Sequence, residues 1–166
     1  MITQNRLKEV VHYDLETGLF KSIIKRKKCP IGKILGTLDL KGYVKIGIEK
    51  KLYAAHRLAW LYVYGEQPKH QIDHINGKRN DNRIVNLRDV CSQYNTQNQQ
   101  KAQKNSSTGY LGVSWCNQKR KFRASIVLNN KQIHIGFFND KQQASQAYQK
   151  TKQKLHKGYV KLELVN

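Results

Sequence analysis

Asp73 and His74 are adjacent, and asparagines follow at positions 76, 82, 86 and 95. A carboxylate can hold a hard divalent cation, and so can the carbonyl oxygen of an asparagine side chain. An imidazole with an ordinary pKa can take a proton from water near neutral pH, which few side chains can do. A cation beside a general base is the equipment needed to hydrolyse a phosphodiester. Neighbouring residues on a strand point to opposite faces, so Asp73 can aim at a metal while His74 approaches water from elsewhere. Lys78, Arg79, Arg83 and Arg88 surround these groups in sequence, each readable as a phosphate contact or a solvated charge. Asn76-Gly77 is a strong turn signal, and Asn76 and Asn82 read as turn residues.

Such groups need elements to position them. Glu16-Thr17-Gly18 is turn chemistry between apolar residues, as in a hairpin starting near Tyr13. Lys25-Arg26-Lys27-Lys28 is a charge run, either a solvated loop or a phosphate contact. Gly42 to Ile48 alternates as a half-buried strand does. Ala54 to Tyr64 places Leu58, Leu61 and Tyr62 at helical spacing and stops at Gly65. His56 opens this helix, as a third catalytic group or, the favoured reading, packed beneath the site; Trp60 reads as core.

The series His56-Arg57-Leu58-Ala59-Trp60, Asp73-His74-Ile75-Asn76-Gly77 and Asp81-Asn82-Arg83-Ile84-Val85-Asn86-Leu87-Arg88 resembles the HNH nuclease family. It is most similar to the phage and intron-encoded branch, in which the last motif residue is Asn and not His. The resemblance spans about residues 10 to 100. It implies a ββα-metal domain that cuts or nicks DNA, with His74 as general base and Asp73 and Asn95 holding one Mg²⁺ or Mn²⁺. It assigns Asn86 to tying down the loop that bears the histidine. Asn98 lies close enough to Asn95 that the register of the second ligand stays open.

Composition narrows the partners. The 166 residues suffice for one ordinary domain or two small ones. With 31 Lys+Arg against 11 Asp+Glu, the net charge of +20 calls for a polyanion, nucleic acid before an anionic membrane surface. No segment is apolar and long enough to span a bilayer, and no hydrophobic run follows the N-terminus as in a signal peptide. A cytoplasmic location in the host cell is therefore expected. Cys29, Cys91 and Cys116 are odd in number and far apart, without a Cys-x-x-Cys pair. A disulfide framework and a structural zinc are not expected.

The positive charge is denser in the second part: residues 101–166 hold 13 basic and 2 acidic side chains. Between the parts, Ser92 to Thr108 is polar and rich in Gln and Asn; it reads as a helix carrying Asn95 that continues as a linker over about 96–108. Gly109 to Trp115, Lys121 to Leu128 and Gln132 to Phe138 are β-like, with Asn129-Asn130 as a tight hairpin turn. Asp140 caps a helix, with Gln143 as its capping-box partner. Ala144, Ala147, Tyr148, Thr151 and Leu155 share one face of it.

Gly109-Tyr110-Leu111-Gly112-Val113, Lys121 to Ile126, Ile135-Gly136-Phe137-Phe138 and Ala144 to Tyr148 resemble the plant ethylene-response-factor, or APETALA-class, DNA-binding domain. That resemblance implies a sheet laid in the major groove of duplex DNA. Leu111, Ser114, Gln132 and His134 depart from it where the plant domains tend to carry Arg or Trp, and Val127 replaces an Arg, so the base specificity does not carry over. Trp115, Asn117, Lys119, Arg120, Lys121 and Arg123 form a basic cluster around the first two strands, with Trp115 either on that face or buried. Arg123 and Ser125 alternate with apolar residues and share a face expected to meet DNA, with His134 beside them.

The expected fold class is α+β: an HNH nuclease domain with β-hairpins over 1–104, then a three-stranded antiparallel sheet packed on one helix over 105–166. The expected function is a metal-dependent endonuclease acting on double-stranded DNA, of homing or phage type. The chain is expected as a monomer or weak dimer; with a single active site a monomer should nick, and a double-strand cut would need a dimer or a second event. The alternatives are a DNA-binding regulator with an inert nuclease domain, and an RNA-binding or RNA-cleaving protein.

Overall fold

A computed structural model describes residues 1–25, 29–99, 101–103 and 105–158. The stretch Arg26-Lys27-Lys28 within the basic run lies outside the described residues. The chain forms two compact units, Met1–Ser92 and Gln93–Asn166. The α+β class expected from the sequence is borne out: four α-helices are joined by small antiparallel sheets among the described residues.

The first unit begins with α1 (Gln4–Val10), whose N-cap Thr3 accepts a hydrogen bond from the Arg6 amide. Strands β1 (Val11–Tyr13), β2 (Phe20–Ser22) and β3 (Ile34–Leu35) make one sheet in that order. The β1–β2 turn is built by Asp14, whose carboxylate accepts from the amides of Glu16 and Thr17, and whose carbonyl accepts from Gly18. A second sheet contains β4 (Thr37–Leu38), β5 (Val44–Ile48) and β6 (Lys51–Ala54). Helix α2 (Ala55–Tyr64) follows and ends at Gly65, whose left-handed φ of 79° no β-carbon has to tolerate. Strands β7 (Gln71–His74) and β8 (Leu87–Val90) form a two-stranded ribbon, joined by residues 75–86 with a short 3₁₀ turn at Ile84–Asn86. Leu7, Val10, Phe20, Ile46, Ile48 and Leu58 are fully buried in the common core, which ties both sheets to α2.

Helix α3 (Ser92–Gln97) starts at the last residue of the first unit, so the order along the chain is strand, strand, helix from residue 71 to 97. Strands β9 (Val113–Cys116), β10 (Lys121–Leu128) and β11 (Lys131–Phe138) form an antiparallel sheet with β10 central. Asn129 and Asn130 both have positive φ in the β10–β11 turn, as a tight hairpin of this hand demands. Helix α4 (Lys141–Leu155) starts at Asp140, whose carboxylate accepts from the amides of Gln142 and Gln143. It packs Ala144 and Tyr148 against Val113, Ala124 and Ile126. Strand β9 begins at Val113 and not at Gly109. Gly109 and Gly112 take positive φ, and a β-carbon on Gly112 would collide with the Tyr148 ring. No described helix is long and apolar enough to cross a membrane.

Candidate active site

The site of the first unit is the β7–β8 ribbon and the loop between its strands. Asp73 pairs with Arg88 across the ribbon and His74 with Leu87. Both side chains are withdrawn from solvent, Asp73 to 7% and His74 to 4% exposure. The Arg88 guanidinium grips one carboxylate oxygen of Asp73 twice, with Nε and Nη2 donating at 2.9 and 2.7 Å to Oδ2.

Burial pushes the His74 pKa below its usual value; a hydrogen bond with Asn82 and the charge of Asp73 oppose the shift. Asn82 is the residue whose importance the sequence did not disclose: read as a turn residue, it is buried at 3% exposure with its Oδ1 3.4 Å from His74 Nε2. The Asn82 amide nitrogen donates to the Asn80 carbonyl at 3.2 Å, which turns the oxygen toward the ring. An oxygen there can accept from Nε2–H, and in that tautomer the basic lone pair of the neutral ring sits on Nδ1.

Asn86 spans the loop from within. Its Oδ1 accepts from the Asn76 amide at 3.0 Å and its Nδ2 donates to the Asp81 carbonyl at 2.8 Å, while its own carbonyl accepts from the Ile75 amide at 2.9 Å. Asp81 is fixed by Arg83, which donates from Nε and Nη2, and by Asn76 Nδ2 at 2.7 Å. The Arg83 contacts lead in holding the Asp81 carboxyl down to about 2. The four cations around the motif thus differ. Arg83 and Arg88, read from the sequence as phosphate contacts or solvated charges, are each held by a carboxylate. Arg79 donates to the Lys41 carbonyl at 2.8 Å and lies 5.0 Å from the centre of the Tyr43 ring. Lys78 is exposed.

His56, at the start of α2, presents its ring edge-on to His74, with centroids 5.2 Å apart and planes at 83°. Tyr43 contacts both rings, at 5.3 and 6.0 Å. Burial pushes the His56 pKa down to about 4, with the neighbouring His74 adding to the shift. Its Nδ1 is buried without a hydrogen-bond partner among the described residues.

Asn95 lies on α3 in the second unit. No cluster of three His, Cys, Asp or Glu side chains occurs among the described residues. A carboxylate such as that of Asp73 is a ligand type that suits Mg²⁺ or Mn²⁺, which binds through one or two carboxylates and completes its shell with water and phosphate.

In the second unit the register divides the predicted DNA contacts between two faces. Arg123 stands opposite Ser114 and Phe137, and Ser125 opposite His134, all on the face away from α4. Gln132 donates to the Ser125 hydroxyl at 3.0 Å, and His134 stacks on Phe137 at 4.6 Å. A groove of about 370 Å³ lies over this face, lined by Gln99, Gln103, Ser114, Arg123, Ser125 and Gln132 among others. Trp115 pairs with Phe122 and meets it edge-on at 4.8 Å, so it projects from the helix-packing side, though 46% exposed. Lys119 and Arg120 sit in the β9–β10 turn and Lys121 begins β10.

The site thus combines a buried histidine and aspartate on a two-stranded ribbon with an asparagine-bound loop between the strands. Residues 53–97 match the HNH endonuclease family model. The chain is also 31% identical over 87 residues to Protein 3.8 of Escherichia phage T7, an alignment that covers 50% of this chain and 71% of the phage protein. It belongs to the same family as that protein. No solved structure matches it.

Proposed function

We propose that the chain is a metal-dependent DNA endonuclease that hydrolyses phosphodiester bonds of duplex DNA, with His74 as general base. The observation that carries this reading is the Asn82–His74 contact, which leaves the basic lone pair of a buried, neutral imidazole on Nδ1. A water oxygen forms the new bond to phosphorus, its proton passes to His74 Nδ1, and the P–O3′ bond breaks. The products carry 5′-phosphate and 3′-hydroxyl ends, solvent supplying the proton of the latter. Asp73 and Asn95 are the residues that would hold a divalent cation. When bound, such an ion polarises the phosphoryl group and offsets the charge that develops on the leaving oxygen. Asn86 and Asn82 hold the loop and the ring in place.

The second unit is proposed to grip duplex DNA through the outer face of its sheet, in the manner of an ethylene-response-factor domain. Arg123, Ser125 and His134 share that face, and Lys119, Arg120 and Lys121 lie at its rim. Net charge of +20 supports a nucleic-acid partner. With one such site per chain, a monomer nicks and a double-strand cut needs a dimer or a second event, and a phage or homing-type role belongs to the same reading.

One observation favours the rival, a DNA-binding protein with an inert nuclease domain: the Arg88 guanidinium already occupies Asp73 Oδ2. Incubating the full chain with labelled duplex DNA or RNA, with Mg²⁺, Mn²⁺ or EDTA, separates the readings. Cation-dependent cleavage of duplex DNA supports the endonuclease. A gel shift without cleavage on any duplex, including the genome of the source, supports the rival.

A further inference from the structure

The first hairpin, outside the segment that matches the family model, reaches the site through one buried hydroxyl. Tyr13 is 2% exposed in the core, its ring against Phe20 at 4.7 Å and Tyr62 at 5.6 Å. A tyrosine packed this way needs a partner for its hydroxyl, and that partner is the carbonyl of Asn82, 2.7 Å away. The side chain of the same residue orients His74. Gly18, in the turn of the same hairpin, takes a φ of 72°. A β-carbon there would lie 2.6 Å from the Asn82 carbonyl carbon and closer still to the Arg83 amide nitrogen. The hairpin backbone is therefore pressed directly on the loop at the residue that faces the imidazole, and the absence of a side chain at position 18 permits it.

We propose that Tyr13 is a positioning residue for the hydrolytic reaction: its hydroxyl fixes the backbone of Asn82, and Asn82 thereby holds the tautomer and orientation of His74. This inference rests on the reading of His74 as the general base. Burial pushes the Tyr13 pKa up to about 12, against the opposing effect of a backbone hydrogen bond from Ile84, so the hydroxyl keeps its proton throughout the working range and donates it to the Asn82 carbonyl. Tyr13→Phe keeps the packed ring and deletes the hydroxyl, and with it the bond to the Asn82 carbonyl. The Asn82 carbonyl then has to find water or shift, and the loop tip moves with it.

The test compares wild-type chain, Tyr13→Phe and a packing control, Leu7→Val, which trims the same core without touching Asn82. Two readouts are taken at a temperature where all three are folded by circular dichroism. The first is single-turnover cleavage of duplex DNA. The second is the ¹⁵N shift pattern of the His74 imidazole, assigned by its loss in His74→Gln. The proposal expects Tyr13→Phe to lower the maximal rate roughly 10-fold to 100-fold with DNA affinity unchanged. It also expects the His74 pattern to move from the Nε2–H tautomer toward a mixture, with Leu7→Val leaving both readouts at wild-type values. A wild-type His74 pattern in Tyr13→Phe overturns the proposal, and so does an equal change in Leu7→Val. If the wild type cleaves nothing, the base assignment fails, and the ¹⁵N pattern alone still decides the positioning role.

Discussion

Replacing Asn86 with alanine removes the clamp that closes the loop between β7 and β8. The side chain is nearly buried and makes two hydrogen bonds to loop backbone, one accepted from the Asn76 amide at 3.0 Å and one donated to the Asp81 carbonyl at 2.8 Å. Each such bond contributes about 1 kcal/mol net, and stranding its partner costs as much or more. The first unit should therefore lose about 2 to 3 kcal/mol. For a unit spanning Met1–Ser92 that lowers the melting temperature of the corresponding transition by roughly 8 to 24 °C. The kinetic effect should be larger. Asn76 is two residues beyond His74, and a relaxation of about 1 Å in the loop costs on the order of 100-fold in rate. Calorimetry measures the first effect and single-turnover cleavage at saturating DNA and metal the second. Asn86→Asp sharpens the test: it keeps the acceptor for Asn76 but sets a carboxylate against the Asp81 carbonyl, and should be no better than alanine. An Asn86→Ala protein with an unchanged melting temperature and an unchanged rate would refute this reasoning.

Further outcomes follow from the same geometry. The His74 pKa lies below its usual value, so the neutral base persists at mildly acidic pH; the cleavage rate should fall only as pH drops below about 6.5, read from a pH–rate profile at saturating metal. His56 titrates at about 4 when folded and near 6.5 when unfolded. The unfolded state therefore binds more protons between these values, and stability should be full above pH 6.5 and decline by up to roughly 3 kcal/mol as pH falls to about 4; His56→Phe should flatten that slope in urea titrations. Arg88→Gln takes two hydrogen bonds from Asp73 Oδ2 and should lower the metal concentration for half-maximal cleavage several-fold, at a stability cost of about 3 kcal/mol; an unchanged metal requirement would mean that Asp73 does not hold the ion. Arg123→Ala should weaken DNA binding alike for all sequences and reduce the magnitude of the salt-dependence slope by about 1, whereas Trp115→Ala, on the helix-packing side, should leave that slope unchanged.

Where local chemistry decided the structure, the sequence was readable. The α2 stop at Gly65, the Asp140 cap of α4 and the Asn129-Asn130 hairpin each follow from one residue's stereochemistry or hydrogen-bonding capacity. The Asp73-His74 pair was visible for the same reason, through residue type and spacing. What escaped was set by partners distant in sequence. Nothing near Asn82 announces that Tyr13, 69 positions earlier, would bind its carbonyl. Hydropathy marked 92–108 as having almost nothing to bury, yet Gln97 and Asn98 are buried. Gln97 accepts from the Gly158 amide at 2.8 Å, and the buried Lys152 ammonium donates to the Gln99 carbonyl. Polar side chains are buried where such bonds await them, and periodicity carries no trace of that. Strand β9 started late because Gly112 makes room for Tyr148, a contact between residues 36 apart. Arg88 read as a phosphate contact or a solvated charge because its partner Asp73 lies across a ribbon whose register only the folded chain fixes.

The most direct measurement is cleavage of supercoiled duplex plasmid carrying source genomic DNA, by the full chain and by His74→Gln, with Mg²⁺ or Mn²⁺ and with EDTA. The account predicts cation-dependent nicking by the wild type and a rate at least roughly 100-fold lower in His74→Gln, with DNA affinity retained. Equal cleavage by the two proteins would contradict the central claim, because the base would then lie elsewhere.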